Sequence, residues 1–398
     1  MTLPHLTDAQ NEPLLRQTMP ELDSIRGLAI LMVVVYHAFY WQNDLHGLSH
    51  ITKLLVLASW MGRLGVNLFF VLSGFLITGL LLQSSGRPDY YRRFYVRRAL
   101  RILPAYYALL FVLAFAALMH RVSLAFVGLS AIYLANMAPL LGVSMSYPVL
   151  WSLAVEEHFY LVWPMVVRRF APRRLFLIAV IVVVITPILR WISFAIDSHR
   201  GYVSFTFSDY TWNSLDGLAF GALLMIALRQ FGWSRRTLGG YSTMAILGAA
   251  GIWFAGIPFG ILSRQGAALG AALQVTPWNL GFAGVLGLFL LAGTSQWKAV
   301  VLSPVLAFLG RISYGLYLID LLSFDAFDWA ARNFFPHLES LIGRFPELCI
   351  RFICGSCGAI TVAYFSRVYF EEPFLRLKDR LDSPLTSTSI RPIAPPAN

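Results

Sequence analysis

The chain has 398 residues, 58% of them apolar and 13% charged, with a mean hydropathy of +0.65. Soluble domains hold roughly 45–50% apolar and about 25% charged residues, so this composition excludes a soluble globular protein and implies a polytopic membrane protein. The net charge of +11 is carried by basic residues clustered between apolar runs, which argues against a nucleic-acid partner and follows the positive-inside rule.

Residues 1–20 are polar and contain proline, with no cleavable leader evident, and read as a cytoplasmic tail. The first apolar segment, Leu22–Tyr40, carries Arg26 and His37, 11 positions apart. At ~100° and ~1.5 Å per residue, both fall within ~20° of one helix face and about 16 Å apart along the axis. With Arg26 at the edge of a ~30 Å hydrocarbon layer, His37 lies near its middle. Ionisable groups at that depth face a bundle interior or a water-filled path; otherwise the arginine snorkels and the histidine takes a neighbouring hydroxyl. In the second span, Asn67, Ser73 and Gly74 read as helix packing and interhelical hydrogen bonding. Tyr91–Pro104 then gathers Arg97, Arg98 and Arg101 at i,i+3 and i,i+4 spacing. Such a cluster suits phosphate oxygens, although cytoplasmic loops are arginine-rich for topology or lipid head groups alone.

The run Leu124–Leu141 is apolar but interrupted by Asn136 and Pro139, and reads as a short re-entrant or broken helix. Trp151–Pro164 opens an apolar span with Glu156, Glu157 and His158; Ser152, Glu156 and Tyr160 step by four and share a face. Glu156 is the candidate partner of a protonated histidine or a general base, while Glu157 and His158 read as interfacial. Asp216 is a further acid within a span, able to pair with an intramembrane arginine or to position an acceptor hydroxyl. Ser323–Pro346 holds Asp325, Asp328, Trp329 and several phenylalanines, read as interfacial anchors or as a platform for sugar. Cys349, Cys354 and Cys357 lack the second pair or histidine that a zinc site needs and read as small packing residues. Residues 378–398 read as a disordered cytoplasmic tail, with no soluble domain appended.

The expected fold class is therefore all-α: a polytopic transmembrane bundle of about ten spans with one short re-entrant or broken helix, all within a membrane domain over residues 21–377. The spans fall near 22–41, 64–83, 102–119, 150–168, 174–194, 210–229, 238–256, 272–292, 301–322 and 347–370. Counting Leu124–Leu141 as a crossing would put Arg168–Arg174 outside, so both termini are expected in the cytoplasm of a cell-membrane protein. No internal repeat is visible, which weighs against a secondary transporter.

Together these runs resemble the membrane acyltransferase-3 family, integral proteins that O-acylate sugars and related acceptors. The resemblance rests on Leu22–Ile30 with His37 after it, Phe69–Phe75, Arg97–Pro104, Trp151–Glu156, Gly310–Leu318 and Phe370–Pro373, in that order. It implies an acyl-CoA donor used from the cytoplasm, acetyl-CoA first among them, and an acceptor hydroxyl on a glycan or glycolipid. It also implies an essential pair at Arg26 and His37, a basic motif at Arg98 and Arg101, and an acidic one at Glu156. Two departures stand out: Val149-Leu150 and Ile319-Asp320 occupy positions where many members have a histidine.

The expected chemistry is acyl transfer with His37 as base, since a neutral imidazole suits removal of the acceptor proton. Glu156 is expected to orient His37 or stabilise its imidazolium, and Arg98 and Arg101, helped by Arg97, to bind the CoA phosphates. Arg26 is expected to hold the pantetheine arm or the oxyanion. Ser73 is placed with the donor, and Trp151, Tyr160 and Asp216 with the acceptor; no metal is called for. The rival readings are a transporter or lipid flippase with Arg26, His37 and Glu156 lining the path, and a catalytically silent assembly partner.

Overall fold

The computed structural model describes residues 14–16, 19–41, 48–199, 209–259, 268–295 and 298–380. The chain is all-helical over these residues, and nine helices or broken helices are long and apolar enough to cross a membrane. They begin with α1 (Pro20–Phe39) and α2 (His50–Ser59), the latter joined through a 3₁₀ turn to α3 (Gly65–Ser84). Then come α4 (Tyr90–Leu118), α7 (Pro172–His199), α8 (Thr211–Gln230), α9 (Arg235–Gly256), and the pair α10 (Ala268–Leu273) and α11 (Thr276–Ala292). The short α12 (Lys298–Val301) precedes α13 (Pro304–Phe334), and α14 (Leu338–Ile342) precedes α15 (Arg344–Phe365), which runs through a π turn into α16 (Glu372–Arg380). The remaining expected span is α6 (Leu150–Arg169), whose Glu156, Glu157 and His158 dilute its hydropathy. The region 124–141 is broken, with α5 (Leu124–Ala131) followed by a 3₁₀ segment, Ala135–Leu141. The expected tails at 1–20 and 378–398 lie largely outside the described residues.

Local chemistry explains the helix boundaries. Ser49, Ser123, Ser234 and Ser303 each accept a hydrogen bond from a first-turn amide, and Pro304 follows Ser303 at a position where its missing N–H costs nothing. Two helices extend beyond the expected spans. α4 begins at Tyr90, carrying the arginine motif on continuous helix, and α13 runs on to Phe334 because no breaker precedes Pro336. The broken region is tied in by side chains of α4, since the Tyr106 hydroxyl donates to Ser130 O at 2.7 Å and that of Tyr107 to Ala131 O at 2.9 Å. Backbone carbonyls freed by the break are thereby satisfied within the protein. Outward faces carry large apolar side chains such as Phe111, Leu118 and Leu247, as a lipid-facing surface requires. Cys354 and Cys357 lie on such an exposed surface rather than packed between helices.

Glycines set the closest helix contacts. A Cβ added at Gly27 of α1 would lie 1.9 Å from Leu306 O of α13, and one at Gly310 would lie 1.9 Å from Asp23 O. The two contacts are reciprocal, so α1 and α13 touch backbone to backbone at this end. Gly74 against Leu218 O and Gly221 against Val71 O, also 1.9 Å each, do the same for α3 and α8. Small residues at helix interfaces supply the packing that lipid-exposed helices cannot gain from the hydrophobic effect. Gly310→Ala is expected to destabilise the protein by about 1–3 kcal/mol, as overpacking does. Gly128→Ala, with open space around its Cβ, is expected to leave stability unchanged. Thermal unfolding of both variants in nanodiscs checks the pair.

Candidate active site

A cavity of about 320 Å³ opens among α1, α3, α4, α6 and α13. It brings together Arg26, Ser73, Arg97, Arg98, Arg101, Glu156 and Tyr160, seven residues singled out from four separate motifs. Four guanidiniums thus face two carboxylates, those of Glu156 and Glu157. Arg26 is drawn to Asp23 at 2.6 Å on its own helix. The Arg98 guanidinium stacks 3.7 Å above the Tyr160 ring, and its Nε is buried with no hydrogen-bond partner among the described residues. An orphaned, charged donor in an arginine-lined cavity is the condition for binding an anion such as phosphate. Glu156 accepts a hydrogen bond from Ser73 Oγ at 2.7 Å, which fixes it on the wall between α3 and α6.

His37 lies outside this lining. It is 6% exposed, and its Nδ1 donates to Asp320 Oδ2 at 2.7 Å; Asp320 is fully buried. A carboxylate only accepts, so the contact places a proton on Nδ1, and in the neutral imidazole Nε2 is then the nitrogen that carries the lone pair. The carboxylate that orients His37 is therefore that of Asp320, not that of Glu156 as the sequence suggested. Glu156 is committed to Ser73, and the close α1–α13 seam brings Asp320 to His37 instead. Sequence reasoning noted Asp320 only as a departure from the family pattern, although an acid within an apolar run was itself the signal. The Ser152 and Tyr317 hydroxyls, 2.6 Å apart, line the arginine cavity, and Asp320 stands one turn further along α13. The cavity wall and the acid that holds the imidazole thus lie one turn apart on α13.

An arginine that the sequence did not single out supports the backbone of His37. Arg351 of α15 donates to His37 O at 3.1 Å and to Ala38 O, satisfying carbonyls at the end of α1. Its other donors form a two-pronged pair with Asp328, at 2.7 and 2.9 Å.

Two expected site residues sit elsewhere. Trp151 packs edge-on against Phe70, which lines the cavity. Asp216 accepts from Arg190 at 2.7 Å and from the Thr276 hydroxyl at 2.7 Å, with both members of the ion pair fully buried between α7 and α8. Arg190 also donates to Asn213 O and Ala272 O, so every arm of the guanidinium is used. Removing one partner from such a pair leaves an uncompensated buried charge. Asp216→Ala is expected to cost about 3–5 kcal/mol, and Asp216→Leu combined with Arg190→Met much less, as read by unfolding of single and double variants.

The family sequence model described as "Acyltransferase domain" matches residues 19–368. The chain is 36% identical to YrhL of Bacillus subtilis over 165 residues, covering 37% of this chain and 23% of the relative. It is 31% identical over 166 residues to "Peptidoglycan O-acetyltransferase OatA" of Listeria monocytogenes, covering 37% and 24%. It is also 31% identical over 183 residues to "O-acetyltransferase OatA" of Staphylococcus aureus, covering 39% and 26%. The matches therefore span about a quarter of the relatives' own length. No solved structure matches.

Proposed function

The chain belongs to this acyltransferase family, and on that premise we propose that it is an O-acyltransferase of the cell membrane with both termini in the cytoplasm. It moves an acyl group, most simply acetyl, from acyl-CoA to a hydroxyl of a glycan or glycolipid. The observation that carries this reading is the arginine-lined cavity whose Tyr317 stands one turn along α13 from Asp320, the acid that orients a buried histidine. The peptidoglycan named for the Listeria relative supports a glycan acceptor.

In the proposed reaction the acceptor hydroxyl approaches Nε2 of His37, which takes its proton as the oxygen attacks the thioester carbonyl. The new C–O bond forms, the C–S bond breaks, and the CoA thiolate leaves and recovers a proton from the imidazolium. Asp320 is a positioning residue: it holds the tautomer and steadies the imidazolium charge, as the acid of a triad does. Arg98 and Arg101 meet the phosphates of the donor, with Arg97 beside them. Arg26 sits about 16 Å along α1 from His37. That separation favours its expected place on the pantetheine side of the donor over contact with the oxyanion. Glu156 and Ser73 form the wall past which the pantetheine arm runs.

The test is acetyl-CoA binding and turnover by the purified protein in nanodiscs. His37→Ala is expected to lower transfer by about 10²–10⁴-fold while CoA still binds. Arg98→Ala is expected to weaken CoA binding about ten- to hundred-fold, the worth of a charge-assisted hydrogen bond. Absence of binding and turnover with any short acyl-CoA would overturn the donor assignment and favour a transport function. Asp320→Ala is expected to reduce kcat at least tenfold with the KM for acetyl-CoA unchanged, whereas a merely structural role would move both together.

A further inference from the structure

A second cavity, also about 320 Å³, lies at the opposite end of α1 from Arg26, among the end of α1, α13, α14 and α15. Its walls include Trp41, Asp328, Arg332, Phe335, Arg344 and Arg351. α1 and α13 each run from the first cavity to this one, and the His37–Asp320 contact lies between. On α1 the order is Arg26, His37, Trp41; on α13 it is Tyr317, Asp320, Asp328, Arg332. Arg351 physically bridges the second cavity to the histidine, since it holds Asp328 and donates to the His37 carbonyl. The Trp41 ring stands edge-on to the imidazole, with ring centres 6.2 Å apart.

The two cavities differ in charge. The first sets four guanidiniums against two carboxylates; the second sets three against three, with Arg351–Asp328 and Arg344–Glu347 already paired at 2.7 Å. An anionic ligand gains nothing from a balanced lining. A polyol does, because each hydroxyl both donates and accepts, matching carboxylate oxygens on one side and guanidinium N–H groups on the other. The Trp41 and Phe335 rings add apolar faces of the kind that a pyranose ring packs against, in a pocket of the size small-ligand sites occupy.

We propose that this second cavity is the acceptor subsite and binds an uncharged sugar ring, whose free hydroxyl is presented to His37 from the side opposite the donor. The inference rests on the acyltransferase reading for its direction of chemistry, but not for the binding itself.

The test is binding of N-acetylglucosamine tetraose to the protein in nanodiscs, followed by saturation-transfer NMR, alongside CoA affinity. The wild type is expected to give ring-proton signals. Trp41→Ala and the surface variant Arg332→Gln are expected to weaken saccharide binding at least fivefold, with CoA affinity within twofold of wild type as evidence of an intact bundle. Arg98→Ala is expected to do the reverse. Saccharide binding that is absent in the wild type, or unmoved by Trp41→Ala and Arg332→Gln, overturns the subsite. Saccharide binding that these variants abolish in a protein without acyl-CoA turnover leaves the subsite standing and removes the donor reading instead.

Discussion

The architecture depends on the seam between α1 and α13. Gly27 and Gly310 let the two backbones meet where any side chain would collide with a carbonyl, and this fixes both the separation and the register of the helices. From that contact, side chains along the two helices fall opposite one another in order. His37 then faces Asp320 at hydrogen-bond distance, although 283 residues separate them in the chain. A looser interface would leave an acid and an imidazole each unpaired in an apolar layer, a costly state for both.

Charge inside the bundle follows a consistent division. Arg190 with Asp216, Arg351 with Asp328, and His37 with Asp320 are closed pairs, each tying one helix to another. Such pairs compensate most of the expense of burying charge and hold the helices in place. The arginine cavity is built differently. Arg98 and Arg101 form no salt bridge among the described residues, and one of the two carboxylates lining their cavity, that of Glu156, accepts from a serine. An excess of cationic donors at a cavity wall is stable only with water or an anion present, which is the physical basis for proposing a phosphate-bearing donor there.

The same division separates the two ends of the molecule. Where cations exceed acids, the cavity suits a highly charged donor; where they balance, it suits a polar but uncharged partner. The histidine sits at neither end but between them, with its free nitrogen fixed by the acid behind it. A charged donor and an uncharged acceptor would then meet without either crossing the whole bundle.

Composition and hydropathy by themselves determined the all-helical membrane class, most of the spans and the broken region at 124–141, because burial in lipid admits few backbone arrangements. Short-range spacing also put Arg97, Arg98 and Arg101 on one helical turn and Ser152, Glu156 and Tyr160 on one face, since helix geometry is local. The partners of the buried charges were decided only by tertiary structure. Periodicity places His37 on a face of α1 but says nothing of which helix lies against it, so the sequence reading pairs it with Glu156 and leaves Asp320 aside. Asp216 carried no mark of Arg190, nor His37 of Arg351, because those contacts arise from interhelical packing. Helix order and close approach, set by glycines distant in sequence, chose which acid met which base.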